Sequence, residues 1–411
     1  MSKYKIKRIH IVQLMILAFI FLICFSFGFK KEGLLVANIF LTICILAKSR
    51  FSLISVIVLI TNYVLLNIYF FEITGTAYGI LNSVKKLHFI PMLQIMVIFN
   101  ATLFFWSSCT DFCEREKAVL NNSGETEKKN YIYICCGVAI CATIIAFPEF
   151  SMSFDPNSRF SALLPGNAWN HLAIVALIAV VSELKTNKVV QITYFFVIIW
   201  FLIHFERVDV LGLLVLLAVL YGRNTEFSLK KIFVVSIVAA ILFAVFTYLG
   251  EMRTGNSKFS FEMILSKIIS QNTASDIGYT FHVTCDYVQK NELLYGKTYI
   301  QYILGIIPLI DTSGFSSAHI ISEIYHTPGG EFFLVEPLLN FGITGVIVIP
   351  NIYILIIYLI IKKNNRYRRL LYYFLIATAF RYLWYGVSFI VTAIVWFIPF
   401  VYLLRRVRRQ T

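Results

Sequence analysis

Apolar stretches of about 17 to 25 residues, the length a helix needs to cross a bilayer, recur along almost the whole of this chain. Hydrocarbon offers backbone N–H and C=O groups no partners, so each stretch must close its own hydrogen bonds as a helix. Cutting wherever charges or Pro/Gly clusters interrupt gives spans at 11–29, 33–47, 51–71, 89–107, 131–147, 168–183, 189–205, 209–222, 232–250, 334–361, 370–385 and 387–404. The expected fold is therefore an all-α polytopic integral membrane protein with about twelve transmembrane helices. Composition agrees: 14% of the 411 residues are charged, 59% are hydrophobic and the mean hydropathy is +0.77. A soluble chain carries about 25% charged residues. The first run lacks the brevity and cleavage site of a signal peptide, so it reads as a retained helix.

Basic residues fix the orientation, because cytoplasmic loops carry the excess of Lys and Arg. Of 36 Lys and Arg, 24 fall in the segments this topology puts inside, and 12 lie outside. Inner loops hold Lys48 and Arg50; Lys185 and Lys188; Arg223, Lys230 and Lys231; and Lys362, Lys363, Arg366, Arg368 and Arg369. Both termini are then cytoplasmic. The net charge of +14 is explained by this asymmetry, and nucleic acid is excluded as a partner because no soluble basic domain exists to grip it.

Three regions follow: residues 1–250 with spans one to nine, 251–333 as a large ordered outer loop, and 334–411 with spans ten to twelve and a basic cytoplasmic tail. Within the loop, Phe261, Ile264, Leu265, Ile268 and Ile269 recur at helical spacing opposite Glu262, Ser266, Lys267 and Ser270. That is an amphipathic helix, suited equally to the membrane interface and to packing on other loop elements. The apolar patch Tyr299 to Pro308 is too short to span. Eight cysteines are scattered, and Cys285 alone is placed outside, so no internal disulfide is expected there. Cys109 and Cys113 lack the second pair a zinc site needs. Neither metal nor cofactor is expected.

Charges near the apolar region and away from the cytoplasmic side are costly and point to function. Four arginines qualify: Arg159 after span five, Arg207 between spans seven and eight, Arg253 after span nine and Arg381 near the outer end of span eleven. A guanidinium fork suits bidentate phosphate recognition and stays charged in a partly dry site. Convergent outer arginines therefore suggest a lipid carrying a diphosphate. The plain alternatives are a local carboxylate, as Glu206 and Asp209 beside Arg207, or snorkelling for Arg381. The densest polar cluster is His319, Glu323, His326, Glu331, Glu336 and Asn340, where histidine and carboxylates are the usual general bases. Glu336 lies inside an apolar span, where its alternative role is to pair with an arginine. His319, Glu323 and His326 would share a face only if their helix ran on, and Pro328 opposes that. Gly296, Lys297 and Thr298 match only the tail of a P-loop, without its first glycine.

The segment Gly329, Gly330, Glu331 through Glu336 to Asn340, Phe341, Gly342 and Gly345 resembles the O-antigen polymerase family, the Wzy-type oligosaccharide repeat-unit polymerases. The many helices, the large outer loop in the C-terminal half and Arg207 at an outer turn resemble that family too. The likeness covers the whole chain as topology and about twenty residues as sequence. It implies a metal-independent membrane glycosyltransferase of the bacterial cell inner membrane. Its substrates would be undecaprenyl-diphosphate-linked glycans, its surroundings membrane lipids, and its partner proteins a chain-length regulator and a flippase. By the same likeness Arg207 and Arg253 would bind the donor diphosphate, and Glu336 or His326 would take the acceptor's proton. The family's arginine with glycine eleven positions later is not reproduced, since Gly166 follows Arg159 by seven and Gly212 follows Arg207 by five. That departure leaves Arg159 the weakest of these assignments.

Two rivals remain open at this point. An O-antigen ligase, which uses lipid A core as acceptor, shares the outer loop and the arginines; the Asn-Phe-Gly segment favours the polymerase. A transporter or flippase also fits twelve spans, although neither an internal repeat nor many midspan charges are visible.

Overall fold

The computed structural model of the protein describes residues 30–49, 51–77, 79–121, 127–148, 168–204, 206–222, 248, 272–307, 310, 312–363 and 365–407. The expected span 11–29, the expected span 232–250 apart from residue 248, and the amphipathic stretch Phe261 to Ile269 lie outside the described residues. In chain order the helices are α1 (Lys31–Ser49), α2 (Leu53–Thr74), α3 (Phe89–Cys109), α4 (Phe112–Asn121), α5 (Lys129–Ala146), α6 (Ala168–Ala179), α7 (Lys188–Ile203) and α8 (Arg207–Gly222). There follow α9 (Asn272–Lys290), α10 (Ile300–Leu304), α11 (Ser317–Tyr325), α12 (Val335–Lys362), α13 (Arg366–Ala377), α14 (Ala379–Tyr385), α15 (Ser388–Thr392) and α16 (Ile398–Val407). Among the described residues, six segments are long and apolar enough to cross a membrane: those of α1, α2, α3, α5 and α12, and the run Ser388–Arg405. The helices α6 and α7 are apolar but shorter. The molecule is a helical membrane protein.

Its outer surface shows why. On α1, Val36, Ile39, Phe40 and Ile43 are exposed at i, i+3, i+4 and i+7, a continuous apolar stripe. On α12, Ile343, Ile347, Ile352, Leu355, Ile356 and Leu359 do the same. Water tolerates no such area of contiguous apolar surface, whereas lipid does.

Between helices in lipid, close packing and polar contacts replace the hydrophobic effect as glue. Asn38 of α1 donates to Asn62 of α2 (2.7 Å), and Asn100 of α3 donates to Asn38 (2.8 Å), a three-helix knot of amides. Trp106 of α3 donates to Asn351 of α12 (3.0 Å). One group of helices comprises α1, α2, α3, α9 and α12; a second comprises α5 to α8, α13, α14 and α16; α13 and α14 join them through α12 and α2. Glu116 of α4 ties the groups at one end, accepting from the Leu53 amide (2.7 Å) and from the Tyr372 hydroxyl.

Within segment 251–333, α9 packs among α2, α3 and α12, with Ile277, Phe281 and Cys285 buried in the core. The structure revises two expectations. Span six ends at Ala179, followed by a tight turn at Val181–Glu183. Span eleven is broken at Thr378 into α13 and α14.

The helix α12 is also interrupted. Gly342 holds φ 61° and ψ −147°, backbone that a residue with a Cβ resists. The carbonyls this break frees are capped from the chain before α10: Leu294 and Tyr295 donate their amides to Leu339 O (3.0 Å) and Asn340 O (3.1 Å). A Cβ at Gly342 would meet only Leu293 at 3.8 Å, so space is not what demands glycine. We expect Gly342→Ala to lower stability by about 1–3 kcal/mol through backbone strain alone, read as a fall in the thermal unfolding midpoint of the purified protein. An unchanged midpoint would remove the strain argument.

Candidate functional site

One end of the helical body gathers the N-terminus of α12, the C-terminus of α14, α11 and the chain around α10. Two carboxylates meet there. Glu336, in the first turn of α12, accepts from Thr298 Oγ1 (2.7 Å), from Gln301 Nε2 (3.3 Å) and from the Tyr302 hydroxyl. Asn340, one turn on, donates to Thr298 Oγ1 (2.7 Å) and accepts from the Gly296 amide (2.9 Å), so α12 and residues 294–302 are laced around the acid. Glu331 accepts from the Ser317 hydroxyl and is anchored by its own amide to Trp384 O (2.8 Å). Both acids are about 95% buried or more, at 3% and 5% exposure. Burial, and after it the charge of Glu336, push the Glu331 carboxyl well above its ordinary range. Among the described residues neither acid is paired with a cation.

The partial P-loop match is accidental, and its residues serve the acid instead. Thr298 is the residue that links Glu336 to Asn340, and Gly296, at φ 90°, makes the turn that brings it there. The glycine-rich run Gly329 and Gly330 also lies at positive φ, and it delivers Glu331 to the end of α14, where Glu331 pairs with Tyr385 as an isolated parallel bridge.

Arg381 is the centre of a second cluster. Its Nε donates to Asp209 Oδ1 (3.2 Å), and its Nη2 donates to Asp209 Oδ2 (2.7 Å) and Glu206 Oε2 (3.0 Å). Asn170 of α6 also donates to Asp209 Oδ2 (3.3 Å). Arg381 is 4% exposed, which speaks against the snorkelling alternative. The helix α14, which starts after the break at Thr378, packs against α8. The carboxylates offered by sequence as neighbours of Arg207 are here bound to Arg381. Gly212, one turn after Asp209, permits this approach, because a Cβ there would collide with the Ala377 carbonyl oxygen.

A third cluster was invisible in the sequence. His88, before α3, places its Nε2 3.2 Å from Asp286 Oδ1. Asp286 also accepts from Lys290 Nζ (2.7 Å) and from the Tyr325 hydroxyl (2.9 Å). The His88 amide donates to His282 Nδ1 (3.2 Å), which puts the His282 proton on Nε2. Burial, then the neighbouring His88, lower His282 to about 4. Burial tends to raise Asp286, but its bonds to Lys290, Tyr325 and His88 outweigh it and hold the carboxyl below its ordinary range. Lys85, Lys86 and Tyr279 complete an open groove around this centre. No short-range pattern reports it, because His88 and Asp286 lie far apart in the chain.

The remaining expected residues fall as follows. Arg207 is the first residue of α8 and is half-buried. His319 and Glu323 form an exposed i,i+4 pair at 3.2 Å on α11. His326 ends that helix at φ 53° and is exposed, so the helix stops before Pro328 as anticipated. The structure brings neither histidine into contact with Glu336. Arg159 and Arg253 lie outside the described residues.

These features define a class, a helical membrane protein with buried acids and a buried arginine network at one end. Comparison with family models, with curated proteins and with solved structures gives no match.

Proposed function

We propose that the protein is a membrane glycosyltransferase that polymerises undecaprenyl-diphosphate-linked repeat units into O-antigen or capsule-type polysaccharide. In this reading it has twelve spans, lies in a bacterial inner membrane with both termini cytoplasmic, and turns the acid pair and the His88 groove to the periplasm. The observation that carries the proposal is the pair Glu331 and Glu336, held by hydroxyls and amides at the mouth of an apolar span. A carboxylate placed there at such cost suits proton abstraction from a sugar hydroxyl.

The step balances without further reactants. The acceptor hydroxyl oxygen bonds to the anomeric carbon of the donor, the bond from that carbon to the diphosphate oxygen breaks, and undecaprenyl diphosphate leaves with the electron pair. The hydroxyl proton passes to the Glu336 carboxylate, through Tyr302, whose hydroxyl bonds it. The guanidinium groups of Arg207 and Arg253 neutralise the leaving diphosphate. Holding both lipids in one bilayer supplies proximity.

Deleting the gene and resolving the host's lipopolysaccharide on a gel tests this. A single repeat unit on core is expected, and Arg207→Ala or Arg253→Ala should reproduce it with the protein still inserted. Bare core would instead indicate a ligase. A buried acid pair with no cation among the described residues also suits proton-coupled transport, the second reading, and an unchanged ladder would favour it.

A further inference from the structure

The groove at His88 lies at the same end of the molecule as the acid pair. The helix α3 runs in the same direction as α12, since Trp106 near its end bonds Asn351, and Asp111 beyond it accepts from Tyr358 (2.8 Å), further along α12. His88, just before α3, is therefore on the side where α12 begins. The helix α11 links the two places. Its first residue, Ser317, donates to Glu331, and its last, Tyr325, donates to Asp286 (2.9 Å). The rise of an α-helix over these nine residues sets the two anchors roughly 12 Å apart.

The groove has a volume of about 400 Å³, within the range of small-ligand sites. Tyr279, His282, Val283 and Asp286 recur at i, i+3, i+4 and i+7 and form one wall from a single face of α9; the chain before α3 and Tyr325 form the others. Charge there is unbalanced. Lys290 pairs with Asp286 (2.7 Å). The other acid of α9, Asp276, is bonded to the Ile80 backbone and does not line the groove. Lys85 and Lys86 do line it, are exposed, and have no carboxylate partner among the described residues.

The other walls say what kind of anion fits. Val84 and Val283 are the aliphatic lining, too little to hold an acyl chain. Two phenols are fixed in place instead, Tyr279 by donating to Tyr325 O (3.1 Å) and Tyr325 by donating to Asp286. His282, with its proton on Nε2, adds a neutral ring that both lines the groove and stacks on His88. A sugar suits such a wall: its C–H face packs on an aromatic plane, and its hydroxyls exchange hydrogen bonds with carboxylate, phenol and imidazole. Lysines act as point charges for an acidic group on that sugar.

We propose that this groove binds an acidic sugar, a ring carrying a carboxylate, roughly 12 Å from the acid pair. The inference rests on the glycosyltransferase reading and adds a substrate class to it: repeat units with an acidic residue, gripped away from the reacting bond.

Full-length protein in detergent is titrated with trigalacturonate, with its methyl ester and with inorganic phosphate, and binding is read by isothermal titration calorimetry. Trigalacturonate should bind about tenfold more tightly than the ester, the effect of two partly exposed ion pairs. Lys85→Gln with Lys86→Gln should weaken binding of the acid about tenfold, leave that of the ester unchanged, and keep the unfolding midpoint, because both side chains are exposed. Lys362→Gln with Lys363→Gln, exposed at the far end of α12, should change neither. Absent binding, equal binding of acid and ester, or equal binding by wild type and the Lys85 and Lys86 double variant overturns the proposal. Displacement of trigalacturonate by equimolar phosphate does so too, by showing that the sugar ring contributes nothing. Binding is read without turnover. An unchanged lipopolysaccharide ladder after gene deletion therefore refutes the polymerase and not the groove, and a single-unit ladder with no binding refutes the groove and not the polymerase.

Discussion

Replacing Arg381 with methionine is expected to destabilise the folded protein by about 3–5 kcal/mol, the cost of leaving buried carboxylates without their cation. Glu206 and Asp209 are 4% and 1% exposed, so water cannot take over from the guanidinium. Arg381→Lys should recover little, because a single ammonium cannot present both the Nε and Nη2 donors that reach Asp209 and Glu206. Adding Glu206→Gln and Asp209→Asn to Arg381→Met should restore most of the loss, since a neutral site has no unpaired charge to bury. The unfolding midpoint in detergent and the amount inserted in membranes both read this out. A single Arg381→Met variant as stable as wild type would show that the network holds nothing together.

The second large effect is on rate. Glu336→Gln should lower glycosyl transfer in a purified assay with lipid-linked repeat unit by about 10²–10⁴-fold, the usual contribution of a positioned base. The amide retains the side chain's volume but can no longer accept a proton in this range. Glu331→Gln should cost much less, because Glu331 is tied to Ser317 and the end of α14, and its removal leaves Glu336 with its own three donors. If Glu336→Gln runs at the wild-type rate with the protein folded, the base lies elsewhere, and the dyad of His88 and Asp286 is the next to examine.

Much of this was legible in advance for a simple reason. A span is a local property: length, apolarity and flanking charge are read within about twenty residues. The helices α1 to α3, α5, α7, α8 and α12 therefore fall where the apolar runs lie, whereas the charged helix α4 (Phe112–Asn121) falls between them. Glu336 was legible in the same way, as a charge out of place. Partners were not. Sequence placed Glu206 and Asp209 beside Arg207, but nothing local tells that both bond Arg381, far along the chain. Gly212 permits that contact by letting α8 and α13 approach closely.

The helix break at Gly342 follows the same division. The Asn-Phe-Gly run marked the region, but only the three-dimensional contacts show its purpose, since Leu294 and Tyr295 cap the freed carbonyls from outside the helix. The groove of His88, His282, Asp286 and Tyr325 is likewise assembled from distant segments. The sequence by itself determined that the chain lives in a membrane as helices, because the bilayer acts on each segment separately. Which charges neutralise one another and which donors hold the buried acids was decided only by the tertiary structure, because buried electrostatics depends on distances between helices that no single segment contains.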